Sequence, residues 1–311
     1  MTEERAPLTV LLPTYNRAAG LRRAIDSVLT QTRGDLELLI SDNASTDETP
    51  EVCRTYAEQD GRVSWFRQPV NLGPIGNFNW LLAQARSEYV LMLADDDWLD
   101  PDYVERCMAI AQRDPSLSIV TGATRYYEGE APRDLILDTN LLQRTGSLRL
   151  LRYLRTSWSS AAFYGVLRTS AVAAATPIPN VMGADWLFVA ALAYQGRVLT
   201  TPETHLNRAR GGTSADFQRI AAVSGLSLRA ARNPHLAIAF NQFRDVAFGS
   251  RAYEDLGRPR RLALGLAAAA AILAGHPFDV FWDAVGPIVL HPRAIWLTGP
   301  LRDRWRARHP L

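Results

Sequence analysis

The chain has 311 residues, of which 47% are hydrophobic, so it can form one large or two smaller domains around a sizeable core. A formal net charge of +2 gives no support to nucleic acid as a partner. Cys53 and Cys107 lie far apart inside predicted helices, which indicates two buried, reduced thiols rather than a metal site. Residues 1–7 are polar and lack the apolar core of a signal peptide, so we expect a cytoplasmic protein.

Apolar runs and helical periodicity alternate over the first 120 residues or so. This alternation is typical of right-handed βαβ units that build a parallel sheet. No Gly-x-Gly-x-x-Gly follows the first strand, so the usual dinucleotide-binding fold is not expected. We predict strands at 8–12, 36–40, 63–67, 89–93 and 117–121, and helices at 18–31, 50–59, 78–85 and 101–113.

The rest of the chain has weaker signals. An apolar run at 262–274 is too short to span a bilayer. From residue 215 onward the pattern is mostly helical. Between these parts we predict a surface loop at 125–144, a basic helix at 147–155, a pocket-lining strand at 158–167, a helix at 184–194, a short strand at 198–200 and a flexible basic loop at 207–214.

Three consecutive carboxylates, Asp95, Asp96 and Asp97, directly follow the predicted strand 89–93, and Asp100 is expected to cap the next helix. In open α/β sheets, ligands bind outside the carboxyl ends of the strands. Three adjacent like charges repel, and a hard divalent cation with a phosphate ligand would neutralise them. The alternative is a solvated acidic loop.

Two other loops follow strands and are expected at the same edge of the sheet, at residues 13–17 and 41–47. Tyr15 can stack on a nucleotide base, and Asp42 can accept a hydrogen bond from a base N–H or a ribose hydroxyl. The alternatives are that Tyr15 covers the sheet edge and that Asp42 forms an Asx turn.

Together these motifs resemble the family-2 glycosyltransferases of the GT-A fold. The resemblance covers roughly residues 8–215 and implies an α/β fold in which a mostly parallel central sheet is flanked by helices. The segments that carry it are Val10–Arg17, Ile40–Asp47, Asn71–Gly73 with Asn77, and Glu88–Pro101.

The resemblance also implies roles for the matching residues. Asp96 takes the place of the main metal ligand, with Asp97 near the sugar or metal and Asp95 near the ribose or metal. Ala94 stands where many members have an acid, so which two of the three acids act is open. The other positions implied to contact the nucleotide sugar are Pro13, Thr14, Tyr15, Arg17, Asp42, Asn71 and Asn77.

Further along the chain, Gly183–Trp186 resembles the family's Glu-Asp segment, with Ala184 in place of the glutamate. The resemblance implies that Asp185 is the general base, although an aspartate near a helix start is often only a cap. Arg208 and Arg210, in the predicted glycine-rich loop, match a basic segment that closes over the diphosphate. They could also be solvated loop cations.

The implied activity is metal-dependent, inverting transfer of a sugar from a nucleoside diphosphate sugar to an acceptor hydroxyl. The metal would be Mg²⁺ or Mn²⁺, the donor UDP- or dTDP-linked, and the acceptor a glycan, a lipid-linked molecule or a small molecule. We divide the chain into a GT-A domain at 1–215, with a nucleotide-sugar half at 1–124 and an acceptor half at 125–215, and a helical C-terminal region at 216–311.

Two other functions stay open. A nucleotidyltransferase also uses metal-binding acids, but no glycine-rich triphosphate loop follows the first strand. A sugar-nucleotide-binding protein without catalysis is supported only by Ala94 and Ala184. The C-terminal region could form a homodimer, or could bind the inner face of a membrane through segments 262–274 and 278–290. That membrane contact would use the four arginines of the C-terminal tail, Arg302, Arg304, Arg306 and Arg308.

Overall fold

The computed structural model describes residues 6–156, 161–209 and 216–277. Its strands are β1 Leu8–Thr14, β2 Leu36–Asp42, β3 Val63–Arg67, β4 Tyr89–Met92, β5 Asp97–Leu99, β6 Leu117–Glu128, β7 Ala131–Ile136, β8 Val166–Arg168 and β9 Arg197–Ala209. Its helices are α1 Ala18–Leu29, α2 Thr49–Gln59, α3 Gly73–Gln84, α4 Tyr103–Arg113, α5 Gly146–Thr156, α6 Thr169–Ala175, α7 Ala184–Gln195, α8 Phe217–Val223, α9 Leu228–Arg232, α10 Pro234–Arg244 and α11 Arg258–Gly275.

All the strands belong to one sheet, in the order β3-β2-β1-β4-β8-β6-β9-β5, with β7 paired to β6 as a hairpin. Strands β3, β2, β1 and β4 are parallel, and β6 and β9 are parallel. Strand β8 runs antiparallel between β4 and β6, and β5 is antiparallel to β9. The predicted α/β fold with a mostly parallel sheet is therefore confirmed, and the carboxyl ends of β1, β2 and β4 meet at one edge.

Side chains alternate between two apolar cores along the buried strands, because successive residues point to opposite faces. In β1, Val10 and Leu12 pack with α1, α2 and α4, whereas Leu11 packs on the other face with α3, α5 and α7. Cys53 and Cys107 are buried free thiols, as predicted.

The helices after residue 216 form a layer behind α5 and α7. Ile238 of α10 and Ile272 of α11 are fully buried in the same core as α7. A Cβ at Gly275 would lie 2.4 Å from the backbone oxygen of Arg155, so α11 approaches α5 closely there. None of the described helices is long and apolar enough to cross a bilayer. The boundary between residues 215 and 216 stays a prediction.

Several predicted boundaries are wrong where polar side chains pair across the sheet. Residues 125–144, predicted as a surface loop, contain the end of β6 and all of β7. Segment 207–209, predicted as flexible loop, lies in β9. The predicted strand 158–167 is wrong over most of its described length, because Ala161–Tyr164 form a 3-10 helix and only β8 is extended. Residues 157–160 lie outside the described part of the chain. Strand β7 and the ends of β6 and β9 do not show the alternation of apolar and polar residues that predicts a strand, because their outward side chains are charged or aromatic.

The short strand β5 was also not predicted, and it changes the surroundings of the acidic cluster. Helix α4 begins at Tyr103 instead of Pro101, with Asp102 as the residue before it. Asp100, the expected cap, instead accepts a 2.8 Å hydrogen bond from Asn207 and lies 2.6 Å from Nδ1 of His205, both on β9. The tertiary contact with β9 therefore outweighs the local capping signal.

One buried carboxyl in the C-terminal layer allows a test of this packing. Burial raises the pKa of Asp245 to about 7, and the opposing charge of Arg261 only partly lowers it. A raised folded-state pKa means that ionisation costs stability, with no cost below about pH 4 and the full cost above about pH 7. We expect Asp245→Asn to increase the free energy of unfolding at pH 8 by roughly 2–4 kcal/mol, which raises Tm, and to have about a quarter of that effect at pH 4.5.

Thermal unfolding followed by circular dichroism at both pH values would measure this difference. Glu254→Gln, at an exposed acid in the same layer, is the matched control and should leave Tm unchanged at both. An equal effect of Asp245→Asn at pH 4.5 and pH 8 would contradict the assignment.

Candidate functional site

The loops that follow β1 and β2 are tied together by hydrogen bonds between them. The Asn16 amide donates to Ser45 Oγ at 2.9 Å, and the Thr46 amide donates to Asn16 Oδ1 at 2.8 Å. Asn16 and Ala44 both adopt positive φ, at 49° and 63°, a conformation that is unfavourable for alanine. The cross-loop bonds hold this strained arrangement, which leaves the neighbouring Tyr15 side chain 45% exposed.

Asp42, at the end of β2, is fully buried beneath these loops. Its Oδ1 accepts a 2.9 Å hydrogen bond from the Ser45 amide, three residues further on, so Asp42 holds the loop after β2 as well as being a candidate ligand. Its Oδ2 lies 3.5 Å from Nε of Arg67, its register partner at the end of β3. Arg67 also donates to the Ser45 carbonyl at 2.8 Å. Sequence reasoning missed Arg67, whose only signal is its place at a strand end.

Asn77 and Asn71 hold the chain around β2. The Asn77 amide donates to the Ser41 carbonyl at 2.9 Å, and its Oδ1 accepts from Ser41 Oγ at 2.6 Å. Asn71 Oδ1 accepts from Asn43 Nδ2 at 2.9 Å and from the Gly73 amide at 2.8 Å. These contacts give both asparagines a positioning role, and direct contact with a ligand stays a prediction for each.

Asp95 and Asp96 lie next to the loop after β1. Thr14 Oγ1 donates to Asp95 Oδ2 at 2.8 Å, and the Tyr15 amide approaches the same oxygen at 3.4 Å. The Arg17 guanidinium lies 3.5 Å from one oxygen of Asp95 and 3.5 Å from one oxygen of Asp96. The structure therefore brings together these residues, which were predicted from two separate segments. Pro13 and Thr14 are the last residues of β1 rather than part of the loop.

Asp97, the first residue of β5, is buried against β9. Its Oδ2 lies 3.0 Å from Nε of Arg208, its register partner in the antiparallel pair. The Arg208 guanidinium also lies over the Tyr164 ring, 4.8 Å from the centroid. The prediction that Arg208 lies in a flexible loop is wrong, because β9 pairs with β5 through Arg208 and with β6 through Ala209. Arg210 lies outside the described residues.

Burial dominates the electrostatics of the two enclosed acids of the cluster. Burial raises the pKa of Asp95 to about 6, although Arg17 and the Thr14 hydroxyl act in the opposite direction. Burial raises the pKa of Asp97 to about 7 despite the nearby Arg208, and the charges of Asp96 and Asp95 add to this rise. A cation bound at this edge would favour the ionised form of the carboxyls.

Tyr164 connects this cluster to the predicted base. Burial raises the pKa of Tyr164, and the charges of Asp97, Asp185 and Asp96 raise it further against the opposing effect of Arg208. The charges of Asp185 and Asp97 therefore both act on the Tyr164 hydroxyl. The sequence signal for Tyr164 was the aromatic, small-residue segment predicted to line a pocket.

Asp185 lies in the first turn of α7, which Gly183 precedes in the left-handed conformation at φ 78°. A Cβ at Gly183 would lie 2.7 Å from the Ile238 side chain, so glycine is required both by the backbone and by the contact with α10. The start of α7, and with it Asp185, is thus fixed against the C-terminal layer.

A divalent cation at this edge would have to be shared with a ligand, because the described side chains do not complete a metal site. Within the described residues no group of three or more acidic, histidine or cysteine side chains is arranged to hold a metal ion. Asp95 and Asp96 do face one position, which Arg17 approaches at longer distances than an ordinary charged hydrogen bond. Mg²⁺ commonly takes one or two carboxylates and completes its shell with water and substrate phosphates.

The buried pair between Asp97 and Arg208 can be tested by a double-mutant cycle. Arg208→Met leaves a buried carboxylate without its partner, so we expect a loss of about 3 kcal/mol in unfolding free energy. Asp97→Asn in the same chain should recover part of that loss. Urea denaturation would give the free energy of unfolding of the wild type, both single variants and the double variant. Arg54→Met, which removes an exposed ion pair with Glu51, is the control and should cost at most about 1 kcal/mol. Similar losses for Arg54→Met and Arg208→Met would contradict a special role for the buried pair.

Comparison with known proteins gives relatives that match part of the chain. A GalNAc(5)-diNAcBac-PP-undecaprenol beta-1,3-glucosyltransferase from Campylobacter jejuni is 42% identical over 93 residues, which are 30% of this chain and 30% of that protein. Glycosyltransferase GlyA from Streptococcus pneumoniae is 36% identical over 98 residues, 32% of this chain and 14% of that protein. The chain thus matches less than a third of the length of either relative.

Solved structures resemble nearly the whole chain. TarS residues 1–349 from S. aureus has a TM-score of 0.63 at 18% identity, covering 92% of this chain and 76% of that one. The same protein in complex with UDP-GlcNAc has a TM-score of 0.55 at 17% identity, covering 90% and 92%. Mannosyltransferase PcManGT from Pyrobaculum calidifontis, in complex with GDP-Man and Mn²⁺, has a TM-score of 0.54 at 20% identity, covering 94% and 83%.

These neighbours have the GT-A fold, and the likeness confirms that fold for this chain. The profile described as Glycosyl transferase family 2 matches residues 9–170, which is more than half of the chain. The chain belongs to glycosyl transferase family 2.

Proposed function

We propose that this protein transfers a sugar from a nucleoside diphosphate sugar to an acceptor hydroxyl. The observation that carries the proposal is the convergence of Tyr15, Asp42 and the Asp95–Asp97 cluster at one edge of the sheet. Membership of family 2 supports the reaction class, and the structural neighbours in complex with UDP-GlcNAc and GDP-Man support a nucleotide sugar as donor.

The loops after β1 and β2 are suited to a nucleoside. The exposed ring of Tyr15 offers a stacking surface for the base. Asp42 Oδ2 is enclosed and accepts no hydrogen bond from the described residues, so a base N–H would satisfy it. The half-exposed Arg67 side chain has to move aside for that contact. Sugars linked to UDP or dTDP are the favoured donors.

Asp95 and Asp96 would hold Mg²⁺ or Mn²⁺ together with the diphosphate. A divalent cation, when bound, neutralises the charge that develops on the leaving diphosphate. Arg17 lies beside the same carboxylates and can turn toward a phosphate once a cation takes its place. Asp97, which is paired with Arg208, would position the end of the acidic segment rather than complete the metal shell.

Asp185 is our proposed general base. A carboxylate on the face opposite to the leaving group would take the proton of the acceptor hydroxyl as the hydroxyl attacks the anomeric carbon. A single displacement of this kind inverts the configuration at that carbon. We place the acceptor between α7 and the acidic cluster, beside Tyr164, and its class remains a glycan, a lipid-linked molecule or a small molecule.

Donor binding can be measured by calorimetric titration with UDP, dTDP and GDP, each in Mn²⁺ and again with a chelator. We expect one of the pyrimidine nucleoside diphosphates, UDP or dTDP, to bind in the presence of Mn²⁺ and to bind at least about tenfold more weakly when the chelator is added. Asp96→Asn should cause a similar loss in Mn²⁺, whereas Glu58→Gln, at an exposed acid on α2, should not. Binding that ignores both the chelator and Asp96→Asn would contradict the metal assignment.

The base is tested separately from the donor site. Asp185→Asn should keep the wild-type diphosphate affinity and lower sugar transfer by about 10²–10⁴-fold, the usual range for loss of a general base. Transfer to an acceptor panel, with the anomeric product resolved by NMR, gives both the rate and the stereochemistry. Full activity of Asp185→Asn would remove the base assignment, and release of pyrophosphate from a nucleoside triphosphate would favour nucleotidyl transfer instead.

A further inference from the structure

The C-terminal layer carries large apolar side chains on its outer surface. We name this surface the α10–α11 face and define it by Leu236, Phe240, Phe248, Leu262 and Leu266, all of which are exposed. Phe248, Leu266 and Phe240 are 68%, 63% and 58% exposed, values that a packed core does not allow. Contiguous apolar patches of this kind mark interaction surfaces.

The contacts between the helices show that these side chains lie together. Leu236 and Phe240 are one turn apart on α10, on the face opposite to the buried Ile238. Gly265 of α11 lies against Phe243, whose ring packs edge-on to Phe248 at 5.9 Å. Leu262 and Leu266 lie on either side of Gly265 along α11. The two helices therefore present one apolar surface around their crossing point.

Exposed arginines lie on the two helices that form this surface. Arg244 at the end of α10 and Arg258 and Arg260 at the start of α11 are exposed. The Arg244 guanidinium lies 5.8 Å from the ring of Phe240, so positive charge directly borders the apolar side chains. Residues 216–277 carry eight arginines against four acids, and the chain contains no lysine. Apolar side chains bordered by guanidinium groups match a lipid surface, in which hydrocarbon lies beneath anionic phosphates.

The positive charge of the arginines argues against two other occupants of the α10–α11 face. A second copy on a twofold axis would bring the same arginine border against itself. The chain's own residues 278–311 carry five arginines and three acids, so they do not complement that border either. We propose that the α10–α11 face docks on the surface of a membrane that contains anionic phospholipid.

The helix that carries part of this face also packs, through its other side, against the start of α7. Ile238, which points inward from α10, contacts Gly183, two residues before Asp185. Asn241 Nδ2 donates to the Met182 carbonyl at 3.0 Å, so α10 also holds the loop that leads to α7. If Asp185 is the base, which rests on the proposed function, α10 would link the docked surface to the start of the helix that carries Asp185.

The test is flotation of the full chain with phosphatidylcholine vesicles, with and without 30 mol% phosphatidylglycerol. We expect binding to the anionic vesicles only, falling as salt rises. Phe240→Ser with Phe248→Ser, and separately Arg258→Gln with Arg260→Gln, should each lower vesicle binding at least about tenfold. The control pairs are Leu135→Ser with Leu137→Ser and Arg54→Gln with Arg113→Gln, which are exposed elsewhere and should bind as wild type.

Circular dichroism and UDP titration of the same preparations keep this test independent of the donor site. Loss of vesicle binding with unchanged folding and unchanged UDP response supports the docking face, whatever the reaction proves to be. Wild-type protein that binds no vesicle, or binds neutral and anionic vesicles equally, overturns the proposal. A dimer in light scattering that Phe240→Ser with Phe248→Ser dissociates would assign the face to a second copy.

Discussion

The pairing of carboxylates with arginines at the carboxyl edge of the sheet is the constraint on which the site depends. Asp42, Asp95 and Asp97 are all largely withdrawn from water, and each has a guanidinium within 3.5 Å. Those guanidiniums come from different parts of the fold: the start of α1, the end of β3 and the end of β9. Removing a charge from water is costly without such a partner. The sheet edge can therefore concentrate acids because three separate elements deliver arginines to it.

This arrangement leaves the site partly compensated, which suits a site that binds a charged ligand. The raised pKa values of Asp95 and Asp97 show that Arg17 and Arg208 do not fully offset burial. The two arginines differ in exposure, since the Arg208 side chain is enclosed by Asp97 and Tyr164 whereas the Arg17 side chain is 39% exposed and lies 3.5 Å from its acids. Arg208 would act as part of the frame, and Arg17 as a group that can exchange carboxylates for phosphates.

The first half of the fold could be predicted from sequence because its strands are buried on both faces and read as apolar runs, as at Leu36–Ile40. The acidic segment and Asp42 were found because they follow such runs. Strand β5 and the long ends of β6 and β9 could not be predicted, because their pairing is set by charged contacts such as Asp97 with Arg208 and Asp100 with His205. Arg67 and Tyr164 were missed because their roles come from register and packing, which a single sequence does not show.

Strand β5 is only three residues long, yet it joins distant parts of the chain. Its partner, β9, is contributed from more than 100 residues further along. A fragment ending near residue 124 would keep the first four strands but lose Arg208 and the ladder that holds Asp97. The proposed donor half is thus not a self-sufficient module: its acidic segment reaches its final position only after the second half of the sheet has been added. Non-local pairing of this kind requires a long loop to close before its contacts can form, so assembling the site contributes to the slow folding that is typical of such sheets.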